Sequence, residues 1–299
     1  MNLFLRPHRV VEHVDRRVMG GFQLVDIHTN LPVRVPADIR LKGATLKAAG
    51  GDQKIPVDES SVRLRQNLSG MFVVMPVVMP AHLFEDYGNS FEGPQEPQET
   101  HDGPLRLQLA AAEVGPHHLP CEFHLDLPRS LDPDPKKTDT VFFPLVVGLF
   151  RAPGSPVNDG WAVLRVRVTR MDAQDPSRDT NDPLPGVVLQ VFRSPRSTND
   201  HPIGMGMTEW RGRLRGEAIV PVVGLRRFRS GLGSNVVETE EKVVIEMTRD
   251  TRFAGASQEF PDVPRILGNE EGVIHPPQGP PSEYTISAGR EFVFNLAMP

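Results

Sequence analysis

The sequence holds a single cysteine, Cys121, in 299 residues. One thiol excludes a disulfide scaffold and any zinc or iron–sulfur centre built on several thiolates. Aromatic side chains are scarce as well, at 6% with two Trp and two Tyr, which weighs against a sugar-binding surface lined with exposed rings. Neither sign of charge dominates: 33 Lys and Arg against 38 Asp and Glu leave a formal −5, so the chain as a whole is not a polycation for nucleic acid. Long hydrophobic runs are missing too. The longest, 141–150, is about half the ~18 uncharged apolar residues of a membrane span. The opening apolar stretch stops at Arg6, short of the ~7–15 residues of a secretory core. The expected location is therefore the cytoplasm, or a particle assembled there, where the glycosylation pattern Asn67-Leu68-Ser69 is a formal match only.

Proline is what the chain has in excess, with 30 residues against a usual share of about 5%. Proline lacks a donor N–H and clashes with the preceding helical turn, so the composition favours short strands joined by turns. Alternation supports this in segment after segment: Phe22/Leu24, Val33/Val35, Ile39/Leu41, Val62–Gln66, Leu105–Leu109 and Cys121–Leu127 in the first half. Trp161–Thr169, Gly186–Phe192, Ile203–Thr208, Leu214–Val223, Val236–Thr248, Thr285-Ile286 and Glu291–Leu296 continue it in the second. Period-two patterning marks half-buried strands, and the βαβ alternation of Rossmann or barrel folds is absent. The expected fold is all-β, with two antiparallel β-sandwich domains. Residues 1–20 form an arm, in which Val10, Val11, Val14 and Val18 between Pro7 and Gly20 fit a short helix. Residues 21–130 form the first sandwich, 131–157 a Pro-rich bridge with Phe142–Pro156 as a strap, and 158–299 the second sandwich. The polar stretches 88–104 and 249–282 are expected as exposed Pro-rich arms.

Two segments carry a recurring turn chemistry. Gly21-Phe-Gln-Leu-Val-Asp26-Ile-His-Thr29-Asn30-Leu-Pro32-Val33 is followed by Asn67-Leu-Ser69-Gly70-Met-Phe72. Ala162–Val168 is followed by Pro183-Leu-Pro185-Gly186-Val and then by Gly206-Met-Thr208-Glu-Trp-Arg-Gly212. These resemble the opening of carboxypeptidase regulatory-like domains, which are transthyretin-like sandwiches, with Asn30 where the family carries Gly. Asn tolerates positive φ better than other non-glycine residues. The resemblance implies tandem, non-catalytic sandwiches that serve as structural or partner-binding modules. The overall layout, with the bridge Phe150–Trp161, also resembles tandem sandwiches of phage-tail-like contractile injection particles.

Candidate chemistry is sparse. His82-Leu-Phe-Glu85 matches the His-x-x-Glu spacing of zinc carboxypeptidases, but without the third ligand and base a catalytic zinc needs. His117, His118, Cys121 and His124 gather potential ligands, yet strand geometry directs His118 and Cys121 to opposite faces. No metal and no cofactor is expected. An isopeptide bond would pair Asn295 with a lysine, and the second half has only Lys242. The most distinctive polar feature is Arg211, Arg213 and Arg215 at period two, followed by Arg226, Arg227 and Arg229. On a strand the first three share one face, and guanidinium groups there suit bidentate pairing with carboxylates on a partner, or with phosphates. Base-stacking rings are sparse beside them, which disfavours nucleic acid.

The expected function is a non-enzymatic structural component of a large assembly, specifically a phage-tail-like contractile injection particle. Its partners would be other protein subunits, met through the Pro-rich arms and the arginines. A carbohydrate- or ligand-binding accessory module and an unrecognised hydrolase are the alternatives.

Overall fold

The computed structural model of the chain describes residues 20–48, 51–55, 62–76, 105–127, 143–171, 179–197, 199–225, 227–229, 236–238, 240–253, 259–268, 273–274 and 283–298. The expected helix over 8–18, the linker over 131–139, the arm over 88–104 and the pair His82/Glu85 lie outside these residues.

The first half contains β1 (Gly20–Asp26), β2 (Asp38–Ala48), β3 (Gly51–Ile55), β4 (Val62–Gln66), β5 (Met71–Pro76), β6 (Leu105–Glu113), β7 (Cys121–Leu127) and β8 (Leu145–Leu149). Two four-stranded sheets result, ordered β4-β5-β1-β8 and β3-β2-β6-β7. β7 shows how the sequence dictates this: Cys121, Phe123, Leu125 and Leu127 are buried while Glu122, His124 and Asp126 face outward. Each sheet thus has an apolar face that must be covered, and the two cover each other. Phe22 on β1 sits between Phe72 of its own sheet and Phe123 of the opposite one, both at 4.9 Å. Such aromatic pairs contribute about 0.5–1.5 kcal/mol beyond their burial.

The second half contains β9 (Ala162–Met171), β10 (Asp179–Pro183), β11 (Val188–Arg193), β12 (Gly204–Met207), β13 (Glu217–Val222), β14 (Arg227–Arg229), β15 (Val236–Glu238), β16 (Glu240–Asp250), α1 (Val263–Leu267), β17 (Val273–Ile274), β18 (Glu283–Ser287) and β19 (Glu291–Met298). Nine of these strands form one sheet, and β14 and β15 form a separate hairpin. The all-β expectation holds, with α1 the one α-helix among the described residues.

The two halves repeat one strand arrangement. In the first, β4-β5-β1-β8 runs antiparallel, antiparallel, parallel. In the second, β12-β13-β9-β19 has the same order and senses. Likewise β2-β6-β7 corresponds to β11-β16-β18, antiparallel throughout. Local details repeat as well. The chain returns to its first strand through Val33 N donating to Leu24 O at 2.9 Å, and through Leu184 N donating to Val168 O at 2.9 Å. Gly70 before β5 and Gly216 before β13 both take positive φ, +81° and +78°, a conformation that strains residues with a Cβ. The copies differ in that β12 also pairs with β11, which joins the second pair of sheets into a continuous one.

Several segments depart from expectation. The strap over 142–156 contains β8, because Leu145, Val147 and Leu149 form an unbroken alternation flanked, not interrupted, by Pro144 and Pro153. The arm over 249–282 contains α1 and β17; Asp262 caps α1 by accepting from Arg265 N at 3.2 Å, and Pro264 suits its first turn. The stretch between the expected strands Trp161–Thr169 and Gly186–Phe192 contains β10, which pairs with the end of β9.

The apolar cores follow the two copies only in part. One cluster lies within the second sheet, around Leu164, Val166, Leu189, Val220 and Val243. The other fills the first sandwich and takes in Met207, Trp210, Phe253, Phe260, Val263 and Ile266 from the second half. Close backbone approach is required at β12, where a Cβ on Gly206 would lie 2.6 Å from Ile219 O and 2.7 Å from Val220 Cγ2. Gly206→Ala is expected to lower stability by about 1–3 kcal/mol in urea denaturation, as overpacking does. Gly154→Ala, with nothing within 4 Å of its Cβ, should stay within about 0.5 kcal/mol of the parent.

Candidate functional site

Asp26 ends β1, and its carboxylate is the most heavily engaged polar group described. Oδ1 accepts from His28 N at 2.9 Å and Thr29 N at 3.2 Å, which closes the turn after β1. Oδ2 accepts from Arg151 Nε at 2.8 Å and His118 Nε2 at 3.2 Å. Asn30 in that turn has φ +55°, as its place in the motif requires. Two oxygens offer about four lone-pair sites, and all four meet a donor. Burial pushes the Asp26 carboxyl up, but the hydrogen bonds from His118 and His28 and the Arg151 guanidinium outweigh it and hold the group far below the ordinary carboxylate range.

The donors tie distant segments together. His28 Nε2 donates to Met205 O on β12 at 2.7 Å, so one end of the knot is in the second half. Arg151 Nη1 donates to Pro156 O at 2.6 Å, and its guanidinium lies 5.2 Å from the Trp161 ring centroid. The bridge is stitched on both sides: Ser155 Oγ donates to His117 O at 2.6 Å, and Arg165 Nη1 on β9 donates to Pro153 O at 2.9 Å. The sequence marked Asp26 only as a turn residue and His118 only as a potential ligand. Arg151, between Phe150 and Ala152, had no assigned role, since nothing local predicts a partner 125 positions away.

A second junction lies on β7. His124 Nε2 donates to Asp262 Oδ2 at 3.0 Å, and Glu122 N donates to Pro261 O at 3.0 Å. The segment carrying α1 is thereby fastened to the first sandwich. Burial raises the Glu122 carboxyl, against a hydrogen bond from Gln108 and the charge of Lys42. Cys121 faces inward, and burial, with the nearby carboxylates of Asp262 and Glu122, pushes its thiol up to about 12. His118, Cys121 and His124 therefore point to three different places. Among the described residues, no group of three or more His, Cys, Asp or Glu side chains is arranged to hold a metal ion. Lys242 pairs with Glu283 at 3.3 Å, and Asn295 is exposed on β19 beside Arg167.

The arginines occupy a different structure from the one expected. Arg211, Arg213 and Arg215 lie not on a strand but in the turn between β12 and β13, which contains a 3₁₀ helix over Gly212–Leu214. Gly212 and Gly216 take φ of +69° and +78°, which breaks the extended backbone that a one-face stripe needs. All three arginines are exposed. Trp210 anchors the turn: it is 2% exposed and meets Phe253 and Phe260 edge-on at 6.1 and 6.3 Å. Arg211 and Lys42, from opposite halves of the chain, converge on the Phe260 ring at 5.0 and 5.2 Å. Burial raises the Glu209 carboxyl against the charge of Arg211. Arg227 and Arg229 lie on β14; Arg226 is outside the described residues.

Fold and site together define an all-β chain of two like strand arrangements, joined by buried polar knots and bearing an arginine-rich turn. Comparison with protein-family models, curated proteins and solved structures gave no match. No helix among the described residues is long and apolar enough to cross a membrane.

Removing one partner of a buried ion pair costs about 3–5 kcal/mol, and Asp26→Asn is expected to lose that much by leaving Arg151 uncompensated. Because its folded pKa is depressed, the contribution of Asp26 is complete above the unfolded carboxyl pKa of about 3.9 and is lost as pH falls below it. The parent should therefore lose stability between about pH 4 and pH 2, with a slope that Asp26→Asn reduces. Equilibrium denaturation across that range measures both effects. Cys121 should resist alkylation at pH 8 in the native protein and react fully in denaturant, since the thiolate is the reactive form.

Proposed function

We propose that this chain is a non-enzymatic structural component of a large protein assembly, a phage-tail-like contractile injection particle, built from tandem carboxypeptidase regulatory-like sandwiches. The observation that carries the proposal is where the chemistry-bearing side chains are engaged. Asp26, His28, His118 and Arg151 fasten the two halves to each other through β1, β12 and the bridge. His124 and Asp262 fasten α1 to β7, and Cys121 is buried with a raised pKa. Groups spent in this way hold two sandwiches in one fixed relation, which suits a part that must transmit load between neighbours. The exposed arginine turn and the Pro-rich stretch over 88–104 are the proposed contacts with those neighbours, whereas the described part of 249–282 packs on the first sandwich.

Affinity purification of the tagged chain from its native cells is expected to recover a high-mass complex containing tube and sheath subunits. Recovery solely as a free monomer that turns over a peptide or a glycan would overturn the proposal.

A further inference from the structure

The internal repeat supplies a comparison for the edges of the sheets. In the second copy β12 has a strand on each side, β13 and β11, both antiparallel to it. Its counterpart in the first copy, β4, pairs with β5, and among the described residues no strand lies on its other side. The reason lies in the opposite sheet. β2 is the counterpart of β11, and the place that β12 takes beside β11 is taken beside β2 by β3, through Ala44–Ala48 against Gly51–Ile55. The first copy therefore keeps two sheets, and β4 stands at the margin of one of them. A marginal strand carries a row of backbone N–H and C=O groups ready to template another strand.

Side chains on β4 define the strand that fits. Leu64 packs on the core, while Arg63 and Arg65 on either side of it are exposed and share the outer face. Unlike the turn arginines, these two stand on extended backbone. Across β4–β5 they oppose Met75 and Val73, so their own sheet gives them no carboxylate. The chain shows elsewhere what such an arginine can meet on a neighbouring strand. On β6, Arg106 stands directly opposite Asp126 of β7 and donates to both of its carboxylate oxygens, at 2.7 and 3.0 Å. A second β4 is a poor neighbour by the same logic. Antiparallel about Leu64, it would set Arg63 against Arg65, and like charges directly opposite are destabilising.

We propose that the outer edge of β4 receives an extended segment of a partner protein, added as an antiparallel strand with Asp or Glu at alternate positions opposite Arg63 and Arg65. Main-chain bonds give such an added strand its affinity, and side chains at alternate positions give it specificity. Guanidinium forks pair with carboxylates in bidentate fashion, as Arg106 does with Asp126. The antiparallel sense is the one in which β11 lies beside β12. This rests on the assembly role proposed above and specifies the chemistry of one neighbour.

The probe is a capped peptide of alternating Val and Glu, about eight residues long to match a strand. It is titrated into the full chain and followed by calorimetry and by amide hydrogen exchange. Saturable binding is expected, with exchange slowed within Val62–Gln66. A peptide of alternating Val and Lys should not bind, and neither should the Val/Glu peptide with every amide N-methylated, which lacks ladder donors. R63E/R65E should bind the Val/Glu peptide about tenfold more weakly, since two cross-strand pairs turn from attractive to repulsive, and should gain binding of the Val/Lys peptide. Circular dichroism checks that the variant keeps its β-rich fold. No saturable binding of the Val/Glu peptide, equal binding of its N-methylated form, binding unchanged in R63E/R65E, or protection confined to strands other than β4 each overturns the proposal. None of these results affects recovery of tube and sheath subunits with the chain, which tests the assembly role separately.

Discussion

The Asp26 carboxylate is a charge withdrawn from water, with a side chain only 8% exposed, and a withdrawn charge is tolerated only where it is fully satisfied. Two of its four donors are local and come from the turn that follows β1. The other two come from His118 and Arg151, far along the chain. The local donors exist only if the turn is formed, and the distant ones only if β8 and the β6–β7 loop are docked. A single group therefore makes a local motif conditional on a tertiary arrangement. Because Arg151 also reaches the bridge and His28 also reaches β12, the condition extends to the second half. Hydrophobic burial alone does not set such a relation, since apolar faces tolerate small slides that a network of directed hydrogen bonds does not.

The repeated strand arrangement accounts for most of the remaining architecture. In each copy the first strand lies centrally, paired on one side with an antiparallel neighbour and on the other with the copy's last strand in parallel. A parallel pairing of first and last strands needs the whole intervening chain to cross over, so each copy closes only when its final strand arrives. The copies then diverge where they meet. The first keeps its two sheets apart and gives one flank to the α1 segment of the second. The second joins its sheets through β12, the same strand whose Met205 carbonyl takes the His28 hydrogen bond.

Strands and turns were legible in the sequence because their causes are local. Phe22/Leu24 and Cys121–Leu127 alternate at the period a half-buried strand requires, and Asn30, Gly70 and Gly186 stand where the backbone takes positive φ. The arginine turn was misread for an equally local reason: Arg211, Arg213 and Arg215 alternate like strand residues, and only the positive φ at Gly212 and Gly216 reveals the break. The knot around Asp26 was not legible, since 92 and 125 positions separate the carboxylate from His118 and Arg151. Prolines beside Leu145–Leu149 suggested a strap, although they bracket the strand and leave its alternation whole.

Two sandwiches that share a core and a satisfied buried charge behave as one body, and that changes what their surfaces can do. On a freely jointed pair, the surfaces of the two units would hold no fixed direction relative to each other. Here His28, Arg151 and the α1 segment fix the units against each other, so the direction in which the arginine turn faces is set by the fold. A contact fixed in direction on a rigid body repeats at the same angle each time a copy is added. The buried knot at Asp26 supplies that fixed direction, which is the property the proposed assembly role requires.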